Sequence, residues 1–407
     1  MPIYAFGSNG AGQLGLNHLD DVSRPSRVYF DADSGDGREL NLSIRASSPG
    51  LRYGDGDGTA GLDLLHSDHR DPVRHVAAGG NHTLLLFWSG AVYAAGLNDA
   101  GRRCGGEGDE CVRRFQRMRV KGRNGRVVEL FKDVAATWAA TFLVSSSSLS
   151  LEEGGGDEVF VLGAGLKGEL GLGIDKTCIS DEEGVGIIPD FPPPGLRIKA
   201  IASGMSHTVV VLSNGDVYGW GAARKGQLGG KAIVQKIVWS PARIDGIGGL
   251  ASEVACGREF TVVTAQDGGY RVLGVEDKWG VISGASDAAA GLDWRVWTSW
   301  HGVYVHAPDQ AIISWGRNDR GQLPPLSLEK EKVALIAVGS EHVLALLQDR
   351  KTVVAFGWGE HGNCGPDVDD QGNVKGRYNV IPLELTGGEK VVGLGAGCAT
   401  SWIITSR

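Results

Sequence analysis

Histidine recurs at one position of a repeated pattern, Gly-x-x-His, which contains His82, His207 and His342. Repeated histidines can indicate a metal site or acid–base catalysis, because imidazole binds metals and exchanges protons near neutral pH. Equivalent positions in successive copies of a unit are spread around a repeat protein, however, and do not converge on one ion. We therefore predict that nearby backbone groups satisfy each ring. His301 and His361 fall outside this position and are better candidates for surface contacts.

Other signatures of catalysis or cofactor binding are weak. The six cysteines include no Cys-x-x-Cys pair, which argues against a zinc or redox site and predicts free thiols. Residues 163–168 and 357–362 spell Gly-x-Gly-x-x-Gly, but a dinucleotide site needs a helix to begin there. Glu169-Leu170-Gly171 is a poor helix start. We predict turns at both places, no cofactor and no enzymatic activity.

Two alternating motifs define the elements that must position these residues. The first is an apolar and aromatic run that ends in glycine and continues, in its clearest copies, to Gly-Gln-Leu-Gly. Its seven copies begin near residues 3, 92, 159, 217, 271, 312 and 353. The second is Val-Ala-x-Gly-x-x-His-Thr before an apolar run, with copies at residues 76–86, 134–144, 201–212, 254–263, 296–305, 337–347 and 394–404. Such a period indicates one supersecondary unit used many times.

The two motifs join as β-hairpins. Within residues 207–220, two runs of β-branched and aromatic residues flank Asn214-Gly215, the strongest short-range hairpin signal. Seven such units predict an all-β fold, a seven-bladed β-propeller that forms one domain over residues 1–407. We predict that the unpaired first strand, residues 3–7, pairs with the unpaired last one, residues 398–405, and closes the ring. An open solenoid of helical repeats is disfavoured, because no repeat has a helical apolar period.

Composition limits the function. The 407 residues carry a net charge of −8, so a strongly basic surface for nucleic acid is not indicated. Seven basic residues lie within residues 113–126 beside one aromatic, Phe115; we predict a solvated loop between blades rather than an RNA site. No signal peptide or membrane-length apolar run is visible, which favours the cytoplasm. Residues 31–61, 145–158 and 181–195 are predicted to be flexible insertions, since their composition favours loops.

The paired motifs resemble the repeats of the regulator-of-chromosome-condensation propellers over essentially the whole chain. A fungal branch of that family is the closer match. The stretches that carry this closer resemblance are residues 4–10, 80–82, 297–299, 339–342, 357–366 and 397–403.

The resemblance implies a non-catalytic adaptor. Members of that branch form a heterodimer with a small CSL-type zinc-ribbon protein, an electron carrier of diphthamide biosynthesis. The pair supports diphthamide formation on elongation factor 2 and Elongator-dependent modification of wobble uridine in tRNA. We expect the same partner here, an indirect link to Elongator, a cytoplasmic and also nuclear location, and no direct contact with nucleic acid or membrane. The alternative is a guanine-nucleotide exchange factor for a small nuclear GTPase; an enzyme that uses the central channel is a third hypothesis.

In this family the turn of the second motif contributes to a partner-binding face. Trp, Met and Arg are enriched in interface cores, so a group of them on one rim indicates a docking surface. The alternative is that the tryptophans pack inward beneath a loop. The predicted contact residues are Trp138, Met205, Arg258, Trp300, His301 and Glu341, with Trp358, Glu360 and His361 added from the turn of the first motif.

Overall fold

The apolar and aromatic runs form β-strands in the computed structural model, which describes residues 1–31, 71–99, 104, 110–145, 156–180, 182–247, 250–275, 278–286, 295–307 and 311–406. The strands are β1 (Ile3–Gly7), β2 (Val22–Arg27), β3 (Val73–Ala78), β4 (His82–Phe87), β5 (Val92–Leu97), β6 (Cys111–Arg117), β7 (Val120–Lys121), β8 (Val127–Val128), β9 (Asp133–Ala136), β10 (Ala140–Val144), β11 (Val159–Gly163), β12 (Gly186–Ile187), β13 (Ile198–Ser203), β14 (His207–Leu212), β15 (Val217–Ala222), β16 (Ile237–Arg243), β17 (Ala251–Cys256), β18 (Thr261–Ala265), β19 (Tyr270–Leu273), β20 (Arg295–Thr298), β21 (Gly302–His306), β22 (Ile312–Gly316), β23 (Val333–Val338), β24 (His342–Leu347), β25 (Val353–Trp358), β26 (Asn373–Val380), β27 (Lys390–Ala396) and β28 (Thr400–Ser406). Among the residues that the structure describes, three short 3-10 helices span Gly230–Ile233, Ser283–Ser286 and Leu326–Lys330.

Seven antiparallel sheets form the blades. Blade 1 has the strand order β2-β1-β28-β27, blade 2 β3-β4-β5-β6, blade 3 β9-β10-β11-β12, blade 4 β13-β14-β15-β16, blade 5 β17-β18-β19, blade 6 β20-β21-β22 and blade 7 β23-β24-β25-β26. Strands β7 and β8 form a separate two-stranded ribbon. Within the described residues, blades 5 and 6 therefore have three strands and the other five have four.

The blades form a closed ring. Their inner strands contact one another in the order β27, β3, β9, β13, β17, β20, β23 and back to β27. The closure lies in blade 1, where β1 pairs with β28 from Ile3 opposite Ile404 to Gly7 opposite Thr400. The predicted seven-bladed propeller and its closure by the first and last strands are confirmed, and the helical solenoid is excluded.

The hairpins and the core follow from the motifs. Leu212 N–H donates to Asp216 O at 2.8 Å, and Gly215 has φ = 82°, as the tight Asn-Gly turn requires. The second strand of each four-stranded blade is nearly all buried, as in β14. Trp220 and Trp402 are fully buried. The apolar core lies between successive blades because each sheet covers the next, an arrangement that suits strands buried on both faces.

Two segments differ from their predictions. Residues 113–117 of the basic segment are not a loop between blades, because Cys111–Arg117 is the outer strand of blade 2 and Phe115 is fully buried in it. Residues 118–126 do lie between blades 2 and 3, where they contain β7. Residues 182–195, predicted to be an insertion, contain β12, the outer strand of blade 3. Residues 32–61, 146–155 and 181 of the predicted insertions lie outside the described residues. The flexibility of these three segments stays a prediction.

Both Gly-x-Gly-x-x-Gly stretches are turns, as predicted. Gly168 and Gly362 have φ values of 74° and 85°, and no helix begins at either. Among the described residues, no helix combines the length and the apolar character that crossing a membrane requires.

Candidate functional site

The turns of the second motif meet around one end of the central channel, and we call their surface the channel-mouth face. It consists of residues 79–81, 137–139, 204–206, 257–259, 299–301, 339–341 and 397–399. Backbone hydrogen bonds join neighbouring turns around the ring. These bonds are Gly80 N–H to Trp138 O (2.9 Å), Trp138 N–H to Met205 O (3.0 Å), Arg258 N–H to Trp300 O (3.1 Å), Trp300 N–H to Ser340 O (2.8 Å) and Ser340 N–H to Gly397 O (2.9 Å).

Two tryptophans meet across the channel mouth. Trp138 belongs to blade 3 and Trp300 to blade 6, and their ring centroids are 6.1 Å apart at 41°. The guanidinium of Arg258 lies 5.1 Å from the Trp300 ring centroid, a favourable cation–π distance. Trp138 is 40% exposed, so it does not pack inward beneath a loop, whereas Trp300 is half-buried. A Cβ on Gly80 would lie 2.7 Å from the Trp138 ring, which explains why that neighbouring turn has glycine.

A charged cluster continues this face beside Trp300. The side chain of Glu341 is 6% exposed, and its Oε1 lies 2.5 Å from Arg317 Nη1. Its Oε2 lies 3.6 Å from Arg320 Nη1, and His301 Nδ1 lies 3.8 Å from Oε1. The hydrogen bond from Arg317 also lowers the pKa of Asp319 to about 2. Glu341 is buried and holds three basic side chains in position; its contact with a partner stays a prediction.

The turn that follows β25 extends the cluster outward. Trp358 donates from Nε1 to Glu360 Oε2 at 3.1 Å, and its ring meets the His361 ring edge-on at 5.3 Å. Arg320 stacks 5.3 Å from the Trp358 ring centroid. His361 Nδ1 lies 2.7 Å from Asp21 Oδ2 of blade 1. The structure thus brings all nine predicted residues together on one face, and their role in partner binding stays a prediction.

Arg317 and Arg320 were missed by the sequence analysis. They follow Gly316 as Trp358 and His361 follow Gly357. Comparing the turns of the first motif in blades 6 and 7, position by position, would have identified both arginines.

The channel has little room beneath this face. The pocket there has a volume of about 150 Å³, which is smaller than that of ordinary ligand pockets. A Cβ on Gly204 would lie 2.2 Å from Gly257 O, so the turns converge only because this position is glycine.

The repeated histidines connect neighbouring blades. His207 Nε2 lies 3.0 Å from Thr261 Oγ1 of blade 5, which itself donates to Gln227 O. His342 Nε2 lies 2.9 Å from Ser401 Oγ of blade 1. The backbone of Phe260 and of Thr400 also hydrogen-bonds to the His207 and His342 rings, respectively, so hydroxyls of the next blade join the predicted backbone partners. Burial lowers the pKa of both rings to about 4, so both are neutral at physiological pH.

The cysteines are free thiols, as predicted. Burial raises the pKa of Cys256 to about 12 and also raises the pKa of Cys364. Both thiols are therefore protonated and unreactive at neutral pH, since the thiolate is the nucleophile and the metal ligand.

Comparison with known proteins agrees with this architecture. Residues 198–227 and 214–264 match two models of the regulator of chromosome condensation (RCC1) repeat. Similarity to RCC1 repeats is thus shown over residues 198–264. The matched residues cover the Asn214-Gly215 hairpin and the Arg258 turn. An RCC1 repeat-containing protein of Schizosaccharomyces pombe is 29% identical over 99% of this chain and 98% of its own length. The mouse secretion-regulating guanine nucleotide exchange factor is 21% identical over 90% of this chain and 76% of its own length.

Solved structures show the same fold. Human WBSCR16 has a TM-score of 0.70 at 17% identity and covers 100% of this chain and 98% of its own. Prp20p of Saccharomyces cerevisiae, whose binding to Gsp1p and histones is described with its structure, has a TM-score of 0.69 at 19% identity. It covers 100% of this chain and 91% of its own. The fold is a seven-bladed propeller of the RCC1 type.

Proposed function

We propose that this RCC1-repeat propeller is a non-catalytic adaptor that binds a partner protein on its channel-mouth face. The observation that carries the proposal is the contact between Trp138 and Trp300 across the channel. Two indoles held by opposite blades form a rigid aromatic platform, and Arg258 stacks on one of them. Trp and Arg are the residue types that dominate binding energy in interfaces.

The proposed partner is a small CSL-type zinc-ribbon protein. Two stretches that resemble the fungal α-tubulin-suppressor proteins, also called killer-toxin-insensitivity proteins, support this choice. They are residues 357–366 and 397–403, and both contribute to the surface around the channel mouth. By that resemblance, the heterodimer would act in diphthamide synthesis on elongation factor 2 and in Elongator-dependent modification of wobble uridine.

The adaptor would act by restraining its partner. A zinc-ribbon protein docked over Trp138 and Trp300 would be held in one orientation, with part of its surface removed from water. Such docking would limit access of solvent and of wrong electron acceptors to the metal. Trp358, Glu360 and His361 would contact the outer part of the same partner.

Size-exclusion chromatography with light scattering on the two purified proteins tests this proposal. We expect one peak with the mass of a one-to-one complex at micromolar concentration. The matched control is the double variant Trp138→Ala/Trp300→Ala, which should elute separately from the zinc-ribbon protein while keeping the wild-type melting temperature within a few degrees. Two separate peaks for the wild-type protein would refute the adaptor proposal for this partner.

The alternative is guanine-nucleotide exchange on a small GTPase. It is supported by the mouse relative named for that activity and by the fold shared with Prp20p, for which Gsp1p binding is described. The assay is release of a fluorescent guanine nucleotide from a small nuclear GTPase. If this protein does not accelerate release of the nucleotide, the alternative is left without support.

A further inference from the structure

Blade 6 ends one strand early. Its third strand, β22, has no outer partner among the described residues. Residues 317–332 lead from β22 to blade 7, and they contain Pro324-Pro325 and the 3-10 helix Leu326–Lys330. Proline lacks the N–H that a ladder needs, so this connection does not supply a fourth strand.

The five four-stranded blades share one backbone bond that blade 6 lacks. In each, the first residue of the third strand accepts a hydrogen bond from the N–H of the apolar residue that directly follows the outer strand. The five bonds are Val28 to Ile3 (3.1 Å), Met118 to Val92 (2.8 Å), Ile188 to Val159 (3.0 Å), Ile244 to Val217 (2.8 Å) and Ile381 to Val353 (2.9 Å). The equivalent acceptor in blade 6 is the carbonyl of Ile312, and no residue of the described chain donates to it in this way.

The outward-facing groups of β22 follow from its pairing with β21. Ala307 N–H donates to Ala311 O, and Arg317 N–H donates to His301 O. Because hydrogen-bonded pairs alternate along an antiparallel ladder, the intervening residues 313 and 315 bond to β21. The N–H and C=O groups of Ile312 and Ser314 therefore point to the open edge.

The side chains of β22 are exposed where their equivalents are covered. Ile313 is 37% exposed, whereas Val354, its equivalent in blade 7, is fully buried. Ser314 is half-buried, whereas its equivalent Ala355 is fully buried. Blade 7 covers these positions with β26, in which Val380 lies opposite Val354.

Only the edge of β22 is open, since its faces pack on neighbouring elements. Trp315 Nε1 donates to Val281 O at 2.9 Å on one side, and Ile312 packs against the apolar core of blade 7 on the other. The strand continues into Arg317, which is bonded to Glu341. The open edge therefore reaches the channel-mouth face and is continuous with it.

We propose that the outer edge of β22 binds an extended segment of a partner protein as an antiparallel fourth strand of blade 6. The chain's own outer strands define the chemistry of that segment. In blades 3 and 7 the outer strand ends in two successive branched apolar residues, Ile187-Ile188 and Val380-Ile381, and the first lies opposite an apolar residue of the third strand. In blades 1, 2 and 4 the first position is an arginine opposite a tyrosine. Because Ile313 is apolar, the segment ends in an apolar pair as in blades 3 and 7. The first lies opposite Ile313, and the second donates its N–H to Ile312 O. Backbone pairing supplies affinity, and the apolar pair supplies register and specificity.

The test uses a peptide with the sequence of residues 373–381 in which a benzophenone amino acid replaces Tyr378 and a fluorophore is attached to the N-terminus. We expect saturable binding to the full-length protein by fluorescence anisotropy. Photo-cross-links should map to residues 312–316 by mass spectrometry, and unlabelled peptide should compete. A scrambled peptide of the same composition should bind at least tenfold more weakly. Cross-links that map to β25 or to another blade would overturn the proposal.

A matched pair of variants tests the backbone bond. Ser314→Pro removes an outward N–H without removing a bond to β21, and we expect it to weaken peptide binding at least tenfold. Ser314→Thr keeps the N–H and should bind as the wild-type protein does. If Ser314→Pro folds poorly, Ile313→Lys alters only an exposed side chain and should weaken binding at least fivefold. Unchanged affinity in the folded variants would overturn the proposal.

Light scattering on the protein alone shows whether the edge of β22 pairs with a second copy of this chain instead of with a different protein. We expect a monomer for the wild-type protein and for Ser314→Pro. A wild-type dimer that becomes monomeric in Ser314→Pro would show that two β22 edges pair with each other, and the partner proposal would then be wrong.

Discussion

The indoles of Trp138, which is exposed, and Trp300, which is half-buried, are held in fixed positions at the channel mouth. Each is held by backbone bonds to the next turn, Trp138 to Met205 and Trp300 to Ser340. Arg258 stacks on Trp300 and has little freedom left to lose on binding. A preorganised aromatic surface loses less conformational entropy when a partner docks, so these residues should contribute more to affinity than the flexible charges around them.

Trp300→Ala should weaken the complex with the zinc-ribbon partner by about 2 kcal/mol or more, roughly 30-fold in Kd, because it removes an interface anchor. Isothermal titration calorimetry measures the change. The matched control is Trp88→Ala, which removes another exposed tryptophan that an arginine, Arg74, stacks on. Trp88 follows β4 at the opposite end of the blade, and its loss should leave Kd unchanged. Equal effects of the two changes, or no effect of Trp300→Ala in a folded variant, would contradict the proposal that the channel-mouth face binds the partner.

At the scale of elements, buried histidines join one blade to the next. The His207 ring of blade 4 donates to Thr261 Oγ1 of blade 5, and that hydroxyl donates to Gln227 O back in blade 4. His342, Ser401 and the carbonyl of Asn363 repeat the arrangement between blades 7 and 1. A protonated ring in either place would carry an unpaired buried charge, which is why burial lowers the pKa of both.

Stability should therefore fall as the pH falls from 6.5 towards 4. In this window the unfolded chain binds a proton at each histidine and the folded chain does not, so protonation favours unfolding. The free energy of unfolding should drop by about 2 kcal/mol per histidine between pH 6.5 and pH 5. Urea titrations at several pH values measure it. The variant His207→Gln/His342→Gln should be less stable at pH 7.5 but should show a shallower pH dependence; an unchanged slope would show that other groups titrate.

At the scale of the whole molecule, one strand pairing closes the ring. In blade 1, β28 pairs with both β1 and β27, so it connects the two ends of the ordered chain. Trp402 and Ile403 of this strand are fully buried. Loss of β28 would open the ring and expose the cores of blades 1, 2 and 7 together.

Deletion of residues 400–407 should lower Tm by more than about 10 °C, because the loss of each large core side chain costs about 3–5 kcal/mol. Differential scanning calorimetry measures the change. Deletion of residue 407 alone is the control and should leave Tm within about 2 °C of the wild-type value. A truncated protein that melts at the wild-type temperature would show that the blades are stable without closure.

The amino-acid sequence by itself determined the number of blades, their hairpins and the closure of the ring, because these depend on short-range signals repeated seven times. Outer strands carry no repeated motif, so residues 113–117 and β12 were assigned wrongly. Only the tertiary structure decided which residues meet at the channel mouth. The channel is narrow there, and Trp138 and Trp300 come from blades that are not neighbours in the ring. It also decided that Glu341 is buried by three basic side chains and that His207 bonds to the next blade, because both depend on contacts between units rather than on the motif within one.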